Sequence, residues 1–88
     1  MRNDIECHPS WRAGSDAFGR TFIKTVHAET EAWDVSVLEN RARGYWEVRF
    51  PDKAFRLSEL QARLLVLLPD AEVVEMYAGR EGEGEPDA

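Results

Sequence analysis

A single cysteine, Cys7, leaves this chain without an internal disulfide and without the paired thiolates of a zinc knuckle. Apolar runs are equally scarce. The longest leucine-rich stretch, Leu64-Leu65-Val66-Leu67-Leu68, stops at Pro69 and Asp70, far short of the ~18 residues a membrane helix needs. The first residues, M-R-N-D-I-E-C-H-P, lack the hydrophobic segment of a secretory signal. No glycine-rich phosphate loop, nucleophile elbow or HExxH run occurs, and G-R-E-G-E-G near the C-terminus has neither a strand before it nor a helix after it. Only two histidines are present, so Cys7, His8 and His27 offer three scattered donors where zinc needs a fourth and a short ligand spacing. These absences point away from membrane, metal, cofactor and catalytic readings and toward a soluble, cytoplasmic, non-enzymatic protein.

The charge is one-sided in only part of the chain. Residues 70–88 hold seven acids and one base, a net of −6, while residues 1–69 hold ten of each. The body is neutral in sum, which argues against a whole-protein imitation of a nucleic-acid polyanion.

The clearest positive signal is Trp33–Phe50. Trp33, Val35 and Val37 alternate with Asp34 and Ser36, then Trp46, Val48 and Phe50 alternate with Glu47 and Arg49, the two-residue period of half-buried strands. Pairing residues whose numbers sum to 85 sets Val37 against Val48 and puts both tryptophans on one face. A slip of one residue would turn Trp46 to water. The hairpin tip is then Arg41-Ala42-Arg43-Gly44, with Gly44 supplying a positive φ.

Residues 15–30 carry two signals. Phe18, Phe22 and Val26 have helical spacing, but the β-branched Thr21, Ile23, Thr25 and Val26 together with Gly19 favour a strand over 20–28. Pro51-Asp52 marks a turn into a further strand with Phe55 and Leu57 on the Val48 face. Ser58 and Gln61 form a capping box opening a helix over about 59–68, whose stripe Leu60, Leu64, Leu67 and Leu68 is read as its buried face. The β-branched and aromatic run within Ala71–Ala78 reads as a last strand. The expected architecture is α+β: an antiparallel β-meander of three to five strands with one helix on one face. An arm occupies 1–14, a single domain 15–78, and a disordered acidic tail 79–88.

With no catalytic set, binding is the expected activity. The chain reads as a small interaction protein that blocks or modulates a larger protein or ribonucleoprotein, a size class shared with phage and mobile-element inhibitors such as anti-CRISPR proteins. A nucleic-acid binder and a homodimeric accessory subunit are the alternatives. Two cations beside aromatic rings at the hairpin tip supply interface-anchor chemistry, so Arg41, Arg43 and Tyr45 form one expected partner contact. Asp70, Glu72 and Glu75 form a second, acidic one. No cofactor is implied.

Overall fold

The alternation over Trp33–Phe50 builds the centre of a five-stranded antiparallel sheet. The computed structural model describes residues 5–28 and 30–77. Its strands are β1 (Arg12–Asp16), β2 (Gly19–Ala28), β3 (Glu31–Asn40), β4 (Tyr45–Phe50) and β5 (Lys53–Leu57), ordered in space as in sequence. The sheet is a pure meander. Val37 faces Val48 and Ser36 faces Arg49, the register the alternation requires. Phe50 pairs with Lys53, so Pro51 and Asp52 alone make the β4–β5 turn, and Val48 meets Phe55.

Two helices follow, α1 (Glu59–Leu65) and α2 (Asp70–Tyr77), where one was expected. The capping box forms as its residues dictate. Gln61 N–H donates to Ser58 Oγ at 3.1 Å, and Ser58 N–H donates to Gln61 Oε1 at 2.8 Å. The strand expected within Ala71–Ala78 is corrected to α2. Pro69 opens that helix as well as ending the previous segment, since its carbonyl accepts the N–H groups of Glu72 and Val73 at 3.1 and 3.2 Å. Asp70 and Glu72 then lie in the first turn, where the helix dipole favours negative charge. These end effects outweigh the β-propensity of Val73 and Val74, which is a packing preference more than a backbone one.

The leucine stripe is the second correction. Ala62, Leu65 and Val66 are buried, whereas Leu60, Leu64 and Leu67 are exposed, and of the expected stripe Leu68 alone packs against the core. The helix therefore presents the opposite face to the sheet from the one its leucines mark.

The core comprises Phe22, Val26, Val35, Val37, Trp46, Val48, Phe55 and Leu57 from one sheet face, closed by Ala62, Leu65, Val66 and Val73 from the helices. Ile5 and Trp11 belong to it too. The segment read as an arm over 1–14 is thus part of the packed body from Ile5 onward, and β1 crosses its boundary. It is held by carbonyls at and just after the end of α1: His8 N–H donates to Val66 O at 2.8 Å, and Trp11 Nε1–H donates to Leu68 O at 3.2 Å. The tail expected at 79–88 lies outside the described residues.

Candidate functional site

Both helices cover the same face of the sheet, and among the described residues no helix packs on the other face. It carries Thr21, Ile23, Leu38 and Tyr45, all half-exposed. Glu47 also sits there and is buried, bonded to the Nε–H of its strand neighbour Arg49. Tyr45 is covered by a cation, with the Arg56 guanidinium 4.3 Å from its ring centroid.

One end of the sheet is built with more constraint than a surface turn requires. In the β1–β2 turn, Asp16 Oδ1 accepts the N–H groups of Phe18 at 2.8 Å and Gly19 at 3.1 Å, an aspartate turn formed from its own side chain. Gly19 has φ +151°, and a Cβ there would lie 2.9 Å from Glu39 Oε1, so glycine is needed both for the backbone and for the close approach. Glu39 fills that space and binds Arg20 three ways. Its Oε1 accepts the Arg20 backbone N–H and Nε–H, each at 2.9 Å, and its Oε2 accepts Arg20 Nη2–H at 2.9 Å. The Arg20 guanidinium also lies 5.3 Å from the buried Trp46 ring. Glu39 Oε1 further receives Arg41 Nε–H at 3.3 Å.

The β3–β4 turn closes against this group. Gly44 N–H donates to Asn40 O at 2.8 Å, Arg43 N–H to Asn40 Oδ1 at 3.0 Å, and Arg41 N–H to Phe18 O at 3.1 Å. The last bond ties the two turns together. Phe18, 66 % exposed, is displayed from one turn, while Arg41 and Arg43 are exposed on the other. Each turn is held from below by Glu39.

Electrostatics explain the hold. The Arg20 side-chain bonds are the main reason that Glu39 ionises at about 2 instead of 4.5; burial opposes them, and the Arg20 backbone bond with the Arg20 and Arg41 charges adds to them. Because the folded value is lowered, the stability it contributes is complete above pH 4.5 and is lost as pH falls toward 2. The wild-type melting temperature is therefore expected to drop across that window more than that of Glu39→Gln measured in parallel. Identical profiles would mean that Glu39 does not hold the end of the sheet.

The acidic group expected as a second contact is divided. Glu72 and Glu75 are exposed on α2. Asp70 is committed to the fold, its Oδ1 lying 2.7 Å from Nζ of Lys24, a lysine with no exposed side-chain surface. The contact is an ion pair that lacks the geometry of a hydrogen bond, which leaves the buried Oδ1 without a hydrogen-bond donor. Asp70 belongs with the Lys24 position on β2, and the tip turn belongs with Arg20 and Glu39 at the strand ends, so the two expected contacts are separate. Sequence reasoning missed Phe18, which was absorbed into a helical spacing with Phe22 and Val26. The signal that could have found it was Asp16-Ala17-Phe18-Gly19, a turn-forming aspartate three residues before a glycine.

No family model, curated protein or solved structure matches the chain. Function therefore has to be argued from the geometry. Among the described residues, no three His, Cys, Asp or Glu side chains converge as metal ligands, and no helix is long and apolar enough to cross a membrane. A cleft of about 360 Å³ opens beside Trp33, Phe50 and Val74, with Glu31 and Asp52 at its margin. Its aromatic surface is already engaged, since the Trp33 and Phe50 rings meet at 5.7 Å and the Lys53 ammonium lies 5.9 Å over Phe50.

Proposed function

We propose that this chain is a non-enzymatic interaction protein that binds a larger protein or ribonucleoprotein and blocks or modulates it, using the joined turns that display Phe18, Arg41 and Arg43. The observation that carries this reading is Phe18, an aromatic ring 66 % exposed on a turn held by Asp16, Gly19 and Glu39. Holding a wet aromatic side chain has no benefit to folding, whereas a rigid aromatic anchor lowers the ordering cost of binding. Arginines beside it add bidentate recognition of carboxylates or phosphates. The strongly perturbed carboxylate, Glu39, is engaged by two arginines in support of the turns, which favours a binding end over a catalytic one.

The Arg56–Tyr45 stack on the open sheet face favours a second reading, a nucleic-acid partner that follows the arginines and stacks on the sheet. Salt separates the two. Phosphate contacts make affinity fall steeply with salt, while an interface centred on an aromatic anchor changes little.

The test measures affinity for the partner that co-purifies with the tagged protein from its host. Phe18→Ala and the double variant Arg41→Ala/Arg43→Ala are each expected to weaken binding by about tenfold or more. Their melting temperatures should stay near wild type, because exposed turn side chains rarely move stability by more than about 0.5 kcal/mol. Native affinity in both variants would move the site away from this end of the molecule.

A further inference from the structure

The sheet ends at β1 in open backbone. Among the described residues no strand pairs with the outer side of β1, and all five of its residues, Arg12 to Asp16, are exposed. Ala13 stands opposite the fully buried Phe22 and is exposed all the same, so the helix layer stops short of this strand. The strand has no proline, and its pairing with β2 runs without a bulge. Such an edge is a template for another strand. Its phase follows from the turn. Asp16 pairs with Gly19 across Ala17 and Phe18, and the pair that closes a two-residue turn exchanges hydrogen bonds, as does every second pair beyond it. Arg12, Gly14 and Asp16 therefore direct their backbone groups to β2, while Ala13 and Ser15 direct theirs outward.

We propose that a second copy of the chain pairs with this edge, β1 against β1, antiparallel about a two-fold axis through Gly14. Charge selects both the occupant and the register. With Gly14 opposite Gly14, Ala13 of each copy meets Ser15 of the other, so the outward groups exchange hydrogen bonds, and Arg12 meets Asp16 twice. The nearest registers that keep outward residues opposite one another set Ala13 against Ala13 or Ser15 against Ser15. Arg12 faces Gly14 in the first and Asp16 does in the second, so both charge pairs are lost. Neither charge is committed to the other within one chain, since they stand four residues apart on a strand, about 13 Å. Among the described residues Arg12 has no ion-pair partner, while Asp16 Oδ1 accepts the N–H groups of Phe18 and Gly19, which fixes the carboxylate at the strand end. At the other edge, β5 carries Lys53 and Arg56 and no acid, so no pairing of β5 with itself sets opposite charges together. The β1 pairing makes a small interface, in the weak class whose dissociation constants are on the order of micromolar or above. It uses neither Phe18 nor the arginines of the β3–β4 turn.

Sedimentation velocity on the full chain, from about 1 μM to about 500 μM, gives the first reading. Wild type is expected to pass from monomer to dimer across the range. Ser15→Pro removes an outward N–H at an edge position where a strand tolerates proline, so it should stay monomeric with an unchanged circular dichroism spectrum. Arg12→Glu should weaken the dimer by about tenfold. Crosslinking reads the register, with Cys7→Ser as the background so that the introduced thiol is the only one. A Cβ at Gly14 would meet nothing closer than Thr21 Oγ1 at 3.5 Å, so Gly14→Cys fits the fold. Facing Cα atoms at that non-hydrogen-bonded position are about 4.5 Å apart, within disulfide reach, whereas the two Ser15 positions lie beyond the limit of about 7 Å. Gly14→Cys should therefore crosslink on oxidation and Ser15→Cys should not. A wild type that stays monomeric at the top concentration overturns the proposal, as does a Ser15→Pro chain that dimerises normally. Association that grows beyond the dimer would join β1 to β5 of the next copy and overturns the two-fold pairing, as does crosslinking at Ser15 in place of Gly14.

Discussion

Trp46→Ala is expected to lower unfolding free energy by about 3–5 kcal/mol, the range for truncating a buried tryptophan. Trp46 is 3 % exposed and faces Leu57 and Glu39 across its neighbouring strands. Its ring centroid lies 6.3 Å from that of Phe22, and the Arg20 guanidinium is 5.3 Å from it on the way to Glu39. Removing the indole would leave a void and withdraw the surface on which Arg20 rests, so loss of packing and loosening of the turns should come together. A domain of this size has about 5–15 kcal/mol to lose. Urea unfolding of Trp46→Ala gives the result directly if the variant folds. Trp46→Phe, which keeps a ring but not the full volume, should lie between the two. A midpoint unchanged in both variants would mean that the ring does not sit in the core.

That prediction was accessible from residue order, and the reason lies in the hairpin itself. Alternation over Trp33–Phe50 leaves one register that buries both arms on one face, because the side-chain period of a strand is two and any slip reverses every residue. Ser58 and Gln61 were equally legible, since capping is a contact between residues three apart. What could not be read required information from distant segments. The leucines of α1 announce an apolar face, but Ala62, Leu65 and Val66 also form one, and only the shape of the sheet beneath decides which is covered. Trp11 sits in a stretch with no period because its place is set by the Leu68 carbonyl, 57 residues away. Residues 70–77 have strand-like side chains and helix-like ends, and the ends prevail because the Pro69 carbonyl takes two N–H groups of the first turn and Asp70 and Glu72 place negative charge there. Of the expected contact residues, Arg41 and Arg43 lie where the hairpin put them. Phe18 and Glu39, which display and hold that end, come together only through the pairing of β2 with β3.

Asp70→Ala is expected to cost about 3 kcal/mol, and Lys24→Met much less, within about 1 kcal/mol of wild type. The asymmetry follows from where each charge lies. Lys24 points from β2 into the core with a side-chain exposure of 0 %, and its ammonium is satisfied by Asp70 at 2.7 Å, by Leu68 O at 3.2 Å and by the Trp11 ring at 4.8 Å. Deleting the carboxylate leaves a buried ammonium with one carbonyl and one ring face, which does not replace the lost hydration. Deleting the ammonium leaves Asp70 with its Oδ1 covered but 39 % of its side chain exposed, so a rotation brings the carboxylate to water, while methionine fills the lysine's volume beside Trp11 and Leu68. The double variant should then resemble Lys24→Met alone, because the penalty of Asp70→Ala exists only while the lysine is charged and buried. Urea midpoints of the two single variants and the double one are sufficient to test this cycle. A large loss in Lys24→Met with little loss in Asp70→Ala would mean that the Lys24 bond to the Leu68 carbonyl, and not its charge pairing, ties the helices to the sheet. The cycle also decides how the acidic end of the chain can be probed for binding. Neutralising Asp70 together with Glu72 and Glu75 would mix unfolding with lost contact, so only Glu72 and Glu75, exposed on α2, give a clean reading of any acidic contribution.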